Sequence, residues 1–436
     1  MDFYSTNSNE CRANAKEAVL QGLASDGGLY MPAEIPCLPK QFFDNLEKLS
    51  FQEIAFEIAK SFFSSDINDT DLRGIIESAL TFPAPVVNIH DNINTLELFH
   101  GPTLAFKDFG ARFMARTMSH FLSEDEKQHL TILVATSGDT GSAVAQGFLD
   151  CPNIDVIILY PAGKVSKIQE MQLTTIGHNI TALEDNGTFD DCQRLVKTAF
   201  ADKNLTEKFL LGSANSINIA RLIPQIFYYF EAYKQLKNKK LATFFAVPSG
   251  NFGNLTACLM AKIMGLPIEK IIAATNINDV VPQYLETGVF SPHPSYQTIA
   301  NAMDVGNPSN FARLQDICKK DLNTMRNYLW GLKVTDDEAL QAIKEVKEKY
   351  NYTLDPHGAM GYVALSGYLK QVSIPSQGIF LETAHPAKFG DVVTRVLTEN
   401  PVIPERLATY LNGKKETIKI SSEYIDLKEY LLTTIN

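Results

Sequence analysis

The sequence predicts an α/β protein whose strands lie in parallel sheets. Six short apolar runs, rich in β-branched and aromatic residues, are spaced between residues 131 and 381, and most of them precede a helical pattern. Short buried strands that alternate with helices pack as parallel sheets covered by helices. The runs are 131–135, 155–160, 179–183, 243–247, 271–275 and 378–381.

A chain of 436 residues has room for two or three domains. We predict an N-terminal, mostly helical region over residues 1–95, a smaller α/β domain over 96–230 and a larger α/β domain over 231–436 that ends in a mixed cap. A long helical pattern over 219–237 would join the two α/β domains.

The helices of the N-terminal region follow from periodicity and turn signals. An amphipathic pattern over 13–23 stops at a Ser-Asp-Gly-Gly turn, and further helical patterns cover 51–63 and 71–80. Pro83 and Pro85 then mark a boundary before the first predicted strand.

Composition and charge exclude several functions. The net charge of -11 argues against non-specific binding of nucleic acid or of an anionic membrane. No secretory signal is visible and no apolar run is long enough to span a bilayer. The six cysteines include no C-x-x-C pair and the eight histidines include no close pair, so we expect reduced thiols, a cytoplasmic location and no metal.

Lys107 has an unusual setting within the run HGPTLAFKDFG at residues 100–110. Phe106 and Phe109 flank it, and a Gly-Pro turn precedes it. A lysine among apolar neighbours loses hydration, so its pKa falls and its neutral amine can attack carbonyl carbons. The alternative is a lysine whose stem covers aromatic surface while its ammonium stays in water. This stretch alone leaves both interpretations open.

The run PSGNFGN at residues 248–254 has the features of a phosphate-binding turn. It follows a predicted strand and precedes a helical pattern over 255–264. Two glycines allow a tight turn and close approach to an anion, which the N–H groups of the helix start would face. It matches neither the P-loop nor the dinucleotide fingerprint. An ordinary strand-to-helix turn is the alternative, and the two flanking asparagines favour a ligand.

A second polar loop follows the strand at 131–135, with a helix predicted to open near Ser142. Hydroxyls and backbone N–H groups at a helix N-terminus suit a carboxylate or a phosphate, although Ser, Thr and Asp are also the usual helix caps. The loop residues are Thr136, Ser137, Gly138, Asp139, Thr140 and Gly141.

Three further segments offer polar side chains. DPHGA at 355–359 and ETAHPAKFG at 382–390 contain His357 and His385, and the second segment follows a predicted strand directly. A single histidine in a loop more often makes structural hydrogen bonds, and we favour that interpretation for both. NSINIARLIPQ at 215–225 could contact an anion or simply cap a helix, and its candidates are Asn215, Ser216, Asn218 and Arg221.

Taken together, these segments supply an amine nucleophile, a phosphate-binding turn and a polar loop for a second anion. A lysine that forms a Schiff base with a phosphate-bearing aldehyde explains all three. The combination points to pyridoxal 5′-phosphate as the cofactor.

With these motifs in view, the chain resembles the threonine synthases of the longer bacterial and fungal type, within the tryptophan-synthase-β-like group of pyridoxal-phosphate enzymes. Any one motif is weak, but their joint occurrence in this order is specific and extends over nearly the whole chain. The matching runs are GLASDGGLYMP, HGPTLAFKDFG, ATSGDTGSA, NSINIARLIPQ, PSGNFGN, DPHGA and TAHPAKF. The resemblance implies fold type II, with the cofactor between two parallel-sheet α/β domains.

The resemblance also implies roles for particular positions. Lys107 would carry the Schiff base and shuttle protons, and Thr383 would meet the pyridine nitrogen with a neutral hydroxyl. The residues that would bind the cofactor phosphate are Gly250, Asn251, Phe252, Gly253 and Asn254. Those that would hold the substrate carboxylate are Thr136, Ser137, Gly138 and Thr140, and the candidates for its phosphate end are Asn215, Ser216, Asn218 and Arg221.

Two positions depart from the pattern of the wider group. Asp139 stands where that group often has an asparagine that meets the phenolic oxygen of the cofactor, although an aspartate is typical of this subtype. A carboxylate beside a phenolate is repulsive unless a proton is shared or other donors intervene. Near the N-terminus, the family motif usually reads Ser-Thr-Arg, whereas this chain has Ser5-Thr6-Asn7.

The activity implied by the resemblance is the conversion of O-phospho-L-homoserine and water into L-threonine and phosphate, by a monomer or homodimer. A serine/threonine dehydratase, or another enzyme of β-replacement on the same fold, would share the cofactor residues but need no pocket for a substrate phosphate. A non-catalytic homologue would lack turnover. A nicotinamide dehydrogenase fits the α/β pattern alone, but the dinucleotide fingerprint is missing.

Overall fold

The computed structural model describes residues 1–123, 128–136, 138–397, 399 and 401–434. Three sheets organise this part of the chain: a small N-terminal one, a six-stranded one and a five-stranded one. Within the described ranges, none of the helices combines the length and apolar character needed to cross a bilayer.

The strands are numbered in chain order. They are β1 (Phe3–Ser5), β2 (Arg12–Ala13), β3 (Tyr30–Pro32), β4 (Val86–His90), β5 (Ile93–Glu97), β6 (Leu130–Ala135), β7 (Ile154–Pro161), β8 (Ile180–Asp185), β9 (Leu210–Gly212), β10 (Ala242–Pro248), β11 (Lys270–Thr275), β12 (Leu329–Lys333), β13 (Ser376–Glu382) and β14 (Ile418–Ile420).

The α-helices connect and cover these strands. They are α1 (Ala15–Gln21), α2 (Lys40–Asn45), α3 (Phe51–Phe63), α4 (Asp69–Ala79), α5 (Lys107–Ser123), α6 (Asp139–Phe148), α7 (Lys167–Thr174), α8 (Phe189–Ala201), α9 (Lys203–Thr206), α10 (Ile219–Leu222), α11 (Pro224–Gln235), α12 (Gly253–Ile263), α13 (Val280–Thr287), α14 (Phe311–Ile317), α15 (Leu322–Tyr328), α16 (Asp336–Tyr350), α17 (Pro356–Leu369), α18 (Gly390–Val393), α19 (Glu405–Leu411) and α20 (Tyr424–Thr434). Short 3₁₀ turns cover Leu46–Lys48, Asn301–Met303 and Pro386–Phe389.

The six-stranded sheet has the order β12-β11-β10-β13-β5-β4. All neighbours are parallel except β4, which is antiparallel to β5. Its strands β10, β11 and β13 coincide, within one or two residues at each end, with the apolar runs at 243–247, 271–275 and 378–381. The predicted parallel α/β class is therefore confirmed here.

The five-stranded sheet has the order β14-β8-β7-β6-β9, and all its neighbours are parallel. It contains the other three predicted strands, as β6, β7 and β8. Its edge strand β14 comes from the C-terminal segment, so part of the predicted cap on the larger domain belongs to this sheet instead. Conversely, β4 and the start of β5 come from the region predicted as mostly helical and complete the six-stranded sheet. The domain boundaries at residues 95 and 230 stay a prediction. Each of the two large sheets contains at least one strand from outside the domain predicted to contain that sheet.

The N-terminal region contains the predicted helices and a small antiparallel sheet of order β2-β1-β3. Helix α3 has the predicted ends, and a capping box between Ser50 and Glu53 fixes its start. Helix α1 ends at Gly22, whose φ of 75° turns the chain out of the helix.

The helix predicted over 219–237 is two helices, α10 and α11. Pro224 has no N–H group to continue the ladder of α10, and its fixed φ suits the first position of a new helix. Every residue of α11 from Pro224 to Tyr233 is buried, so this helix lies in the core rather than on the surface.

Arg313, in α14, is fully buried and joins three segments that are distant in sequence. Its guanidinium donates to the backbone oxygen of Tyr30 at 2.9 Å and 3.2 Å, to that of Ile217 at 2.7 Å and to Oδ1 of Asn310 at 2.8 Å. Burial lowers the pKa of Arg313 to about 9. The N-terminal sheet is thereby fixed to the segment that leads into α10.

We expect Arg313→Met to lower the free energy of unfolding by about 3 kcal/mol, because it leaves buried carbonyl groups without donors. Arg326→Met is the matched control, since that exposed arginine also donates to two backbone carbonyls, at 2.7 Å and 2.8 Å. Water can replace its donors, so its loss should be below about 1 kcal/mol. Urea unfolding followed by tryptophan fluorescence measures both, and equal losses would contradict the role assigned to Arg313.

Candidate functional site

Two of the predicted site segments meet at the carboxyl edge of the six-stranded sheet. Strands β10 and β13 are parallel neighbours, with Ala246 opposite Phe380. The loop after β10 and Thr383 after β13 therefore emerge at the same edge, where open α/β sheets bind ligands.

The loop after β10 has the form of an anion cradle. Helix α12 begins at Gly253, and the residue before it, Phe252, has a left-handed φ of 61°. The backbone N–H groups of residues 250–254 donate to no acceptor within the described residues. Free N–H groups at the start of a helix attract a phosphate.

Close packing explains why residue 250 is glycine. A Cβ atom added there would lie 2.7 Å from Cα of Met303 and 2.8 Å from the backbone oxygen of Ala302. The side chain of Asn251 fixes the loop from the other side, because its Nδ2 donates to Oγ of Ser216 at 2.8 Å and its Oδ1 accepts from the N–H of Ser309 at 2.6 Å.

Asn254 holds α12 against α11. Its Oδ1 accepts hydrogen bonds from the hydroxyls of Tyr228 at 2.6 Å and Tyr229 at 2.5 Å. Its Nδ2 is buried and has no partner within the described part of the chain. An unpaired buried donor beside free backbone N–H groups fits a bound phosphate.

The segment that carries Lys107 is paired with the segment that follows β13. The N–H of Phe106 donates to the backbone oxygen of Thr383 at 2.8 Å, and the N–H of His385 donates to that of Leu104 at 3.0 Å. Lys107 is the first residue of α5. Lys107, Thr383 and residues 250–254, the phosphate-type loop, are thus brought together, and the roles assigned to them stay predictions.

Asp108 fixes the loop before Lys107. Its carboxylate is buried and accepts from the N–H of Thr103 at 2.8 Å and from the hydroxyl of Thr103 at 2.6 Å. Burial raises the pKa of Asp108 to about 6, although the bonds from Thr103 oppose the rise. A Cβ atom at Gly101 would lie 2.4 Å from this carboxylate, so the Gly-Pro turn is fitted closely around it.

The amine of Lys107 is easier to deprotonate than that of an ordinary lysine. Desolvation, opposed by the charge of Asp139 and assisted by the cations Arg221 and Lys388, lowers the pKa of Lys107 to about 8. Half of its amines are therefore neutral near pH 8, and a neutral amine is the nucleophile for carbonyl carbons. The structure favours the nucleophile over a surface lysine.

Asp139 is buried at the start of α6 and has a buried counter-charge. Its Oδ1 lies 2.6 Å from Nζ of Lys388, and it accepts from Nε2 of Gln169 at 3.0 Å. Burial would raise the pKa of Asp139, but the charges of Lys388 and Lys107 and the two hydrogen bonds hold it below its ordinary value. Lys388 and Gln169 therefore supply the hydrogen-bond donors that we expected beside the Asp139 carboxylate.

The polar loop after β6 is shaped by Thr136. Its hydroxyl oxygen accepts from the N–H groups of Gly138 at 3.0 Å and Gly141 at 2.9 Å. Helix α6 begins at Asp139 rather than near Ser142, because Gly138 takes a φ of 144° that starts the helix early. The hydroxyl of Thr136 is therefore engaged in hydrogen bonds within the loop. Contact of Thr136 and of Thr140 with substrate stays a prediction. Ser137 lies outside the described residues.

The segment 215–225 gives a mixed result. Asn218 is fully buried, donates to the backbone oxygen of Val19 at 2.8 Å and caps α10 through the N–H of Ala220 at 2.9 Å. The structure therefore supports the helix cap for Asn218. Arg221 is buried, donates to the oxygen of Ala214 at 2.5 Å and keeps an Nε without a partner within the described residues. Asn215 and Ser216 are half-buried beside the phosphate-type loop.

Both histidines make structural hydrogen bonds, as we favoured. His357 lies in α17 rather than in a loop, because Asp355 caps that helix and Pro356 opens it. The Nδ1 atom of His357 lies 2.7 Å from Oδ1 of Asp355. His385 caps the 3₁₀ turn by accepting from the N–H of Ala387 at 3.1 Å.

Sequence reasoning missed Lys388, Asp108 and Gln169. Lys388 lay within a matching motif, and the need of Asp139 for a counter-charge was the signal that could have singled it out. Asp108 is adjacent to Lys107, but its role depends on a turn that sequence spacing does not reveal. Gln169 has no sequence signal.

Three family models match the chain. One, described as "Pyridoxal-phosphate dependent enzyme", matches residues 94–378. The others, described as "Threonine synthase N terminus" and "Threonine synthase, C-terminal", match residues 2–80 and 358–431.

Curated relatives and solved structures agree with these matches. The chain is 43% identical to the threonine synthase of Escherichia coli over 410 residues, which is 94% of each chain. It is 42% identical over 434 residues to a threonine synthase of Buchnera aphidicola, covering 99% of this chain and 100% of the relative. The structure matches that of Escherichia coli threonine synthase with a TM-score of 0.91 at 40% identity, over 99% of this chain and all of the other. It matches a PLP-bound threonine synthase from Brucella melitensis with a TM-score of 0.93 at 36% identity, over 99% and 98%. The fold expected from the resemblance is confirmed.

The pKa of Lys107 predicts its reactivity toward aldehydes. After dialysis against hydroxylamine, which removes bound carbonyl compounds, reductive alkylation of Lys107 should be half-maximal near pH 8, because its amine is neutral above that pH. Exposed Lys349 is the control, since its hydrogen bond with Glu345 raises the pKa of its amine. Peptide mass spectrometry across pH 6 to 11 measures both, and a common midpoint for the two lysines would contradict the assignment.

Proposed function

The chain belongs to the threonine synthase family of pyridoxal-phosphate-dependent enzymes, and we propose that it converts O-phospho-L-homoserine and water into L-threonine and inorganic phosphate. The reaction eliminates the γ-phosphate and adds water at Cβ, which makes the protein a carbon–oxygen lyase acting on phosphates, at the last step of threonine biosynthesis. The observation that carries the proposal is the meeting of Lys107, the 250–254 loop and Thr383 at one edge of the six-stranded sheet. A cytoplasmic location and a monomeric or homodimeric state stay predictions.

The residues at this edge fit pyridoxal phosphate. The free N–H groups of residues 250–254 would hold its phosphate, Lys107 would bond its aldehyde carbon and the hydroxyl of Thr383 would face its pyridine nitrogen. That hydroxyl has no hydrogen-bond partner within the described residues, so it is available. When bound, pyridoxal phosphate supplies an electron sink that stabilises negative charge on substrate carbon atoms.

The work of the protein itself is proton movement and orientation. Once displaced by the substrate amine, Lys107 would take the proton from Cα and later return it to the same atom. A pKa of about 8 suits this exchange, because a base that operates near neutral pH must both accept and release its proton. Asp108, through its bonds to Thr103, keeps the Lys107 loop in place for both steps.

The start of α6 would hold the substrate carboxylate. The N–H groups of Asp139 and Thr140 donate to no acceptor within the described residues, and they stand at the positive end of the helix dipole. For the substrate phosphate we retain Asn215, Ser216 and Arg221, because the polar atoms of Asn218 are already bonded within the protein.

The reaction is tested by offering O-phospho-L-homoserine and L-threonine to the purified protein loaded with pyridoxal phosphate. We expect phosphate and threonine from the first and no 2-oxobutanoate from the second. Deamination of threonine without phosphate release would favour a dehydratase. Absence of both reactions would favour a non-catalytic homologue.

Lys107→Ala should reduce kcat/KM at least about 1000-fold, because it removes both the nucleophile and the proton carrier. Lys344→Ala, at an exposed position of α16, is the control and should leave the rate unchanged. A coupled colorimetric assay of phosphate release measures the rates of both variants. A Lys107→Ala protein that still forms threonine at the original rate would rule out the role of Lys107.

Gly250→Ala should weaken the binding of pyridoxal phosphate at least about tenfold, because the new Cβ would press on the backbone at Ala302 and Met303 and displace the loop. Gly74→Ala is the matched control, since a Cβ there meets nothing within 4 Å. Equilibrium dialysis measures the affinity and circular dichroism the fold. If both variants bind the cofactor equally well, the 250–254 loop is not its phosphate site.

A further inference from the structure

We propose that Lys388 is a positioning residue, and that its ammonium and the Asp139 carboxylate act as one neutral unit beside the bound cofactor. The inference rests on the proposed function, since it concerns the same cofactor site. It assigns to Lys388 the task of orienting Asp139 and cancelling its charge.

The contacts of Lys388 leave little freedom to either side chain. Its Nζ lies 2.6 Å from Oδ1 of Asp139 and donates to the backbone oxygen of Thr103 at 2.9 Å. The Lys388 side chain is 0% exposed and that of Asp139 is 6% exposed. Gln169 adds a second donor to the same oxygen, Oδ1. The other oxygen, Oδ2, has no donor within the described residues and is the atom left to face a ligand.

Lys388 also connects segments that belong to different sheets. It lies in the 3₁₀ turn Pro386–Phe389, which follows β13 of the six-stranded sheet. Asp139 and Gln169 lie on α6 and α7, beside the five-stranded sheet, and Thr103 lies in the loop before Lys107. One ammonium therefore sets the position of Asp139 relative to both Lys107 and Thr383.

The charges around this point explain why a paired lysine is needed. The charged groups that influence one another here are the cations Lys107, Arg112, Arg221 and Lys388 and the anions Asp108 and Asp139, and all except Lys107 and Arg112 are buried. Removing one member of a buried ion pair leaves an uncompensated charge, which is costly, whereas replacing both members by neutral groups is often tolerated. The pair should therefore behave as a unit in a double-mutant cycle.

The test compares the holoenzyme with Lys388→Met, Asp139→Asn and the double variant. The readouts are the affinity for pyridoxal phosphate and the pH midpoint of its visible absorption. With Lys388→Met, the unpaired carboxylate should raise that midpoint by at least about one unit, and with Asp139→Asn the unpaired ammonium should lower it. In the double variant the midpoint should return close to that of the original protein, and the affinity should recover at least about tenfold from the weaker single variant.

A purely structural ion pair gives a different result. Lys234→Met is the matched control, because Lys234 and Glu231 form a largely buried pair at 2.6 Å in α11. It should lower thermal stability and leave the midpoint unchanged. Stability losses in the Lys388 and Asp139 variants without opposite shifts of the midpoint would overturn the proposal.

A second comparison covers the case in which one single variant is unstable. If Lys388→Met alone does not fold, Asp139→Asn is compared with the double variant, and the proposal requires that adding Lys388→Met moves the midpoint back. No movement overturns it. Because binding and absorption are read without turnover, a protein that fails to make threonine leaves this test intact, and a failure here leaves the phosphate-release test intact.

Discussion

The site depends on the backbone pairing between the Lys107 segment and the segment that follows β13. Two hydrogen bonds, from Phe106 to Thr383 and from His385 to Leu104, fix these segments against each other. Backbone bonds in a buried setting hold a position more firmly than exposed side chains do, since breaking them leaves unsatisfied polar groups. Lys107, the proposed nucleophile, and Thr383, the proposed partner of the pyridine nitrogen, are thus held by the same two backbone bonds.

This ladder also explains the charge pattern around the site. Because Lys107 starts a helix in a half-buried position, its ammonium is partly desolvated and its pKa falls. The same burial would make Asp139 costly as a free anion, and Lys388 offsets that cost. Asp108 has hydrogen bonds from Thr103 but no ion pair with a lysine or arginine among the described residues, and burial raises its pKa. Two neighbouring aspartates therefore respond in opposite directions because only one has a lysine in contact.

Local signals in the sequence were sufficient for the elements that burial and turn chemistry determine. The six apolar runs became strands, and PSGNFGN became a strand-to-helix turn with free N–H groups, because glycine spacing and periodicity act locally. The break at Pro224 was not predicted, because the apolar pattern continues on both sides of the proline. Contacts between segments distant in sequence could not be predicted from such local signals. No local pattern indicates that β14 joins β8, or that Lys388 reaches across 249 residues to Asp139.

The histidine of DPHGA shows how a chemically suggestive residue can serve the site without taking part in its chemistry. Asp355 accepts the Nδ1 proton of His357, so Nε2 is left as an acceptor and lies 3.3 Å from the N–H of Ala302. Ala302 and Met303 in turn pack against Gly250, at the base of the phosphate-type loop. Asp355 also donates its N–H to the carboxylate of Glu382, the residue before Thr383. Burial and the nearby Asp355 raise the pKa of Glu382 well above its usual range. A continuous set of buried contacts therefore links Thr383 to the loop at residue 250. With both ring nitrogens of His357 engaged, the histidine fixes the distance between these two parts of the site.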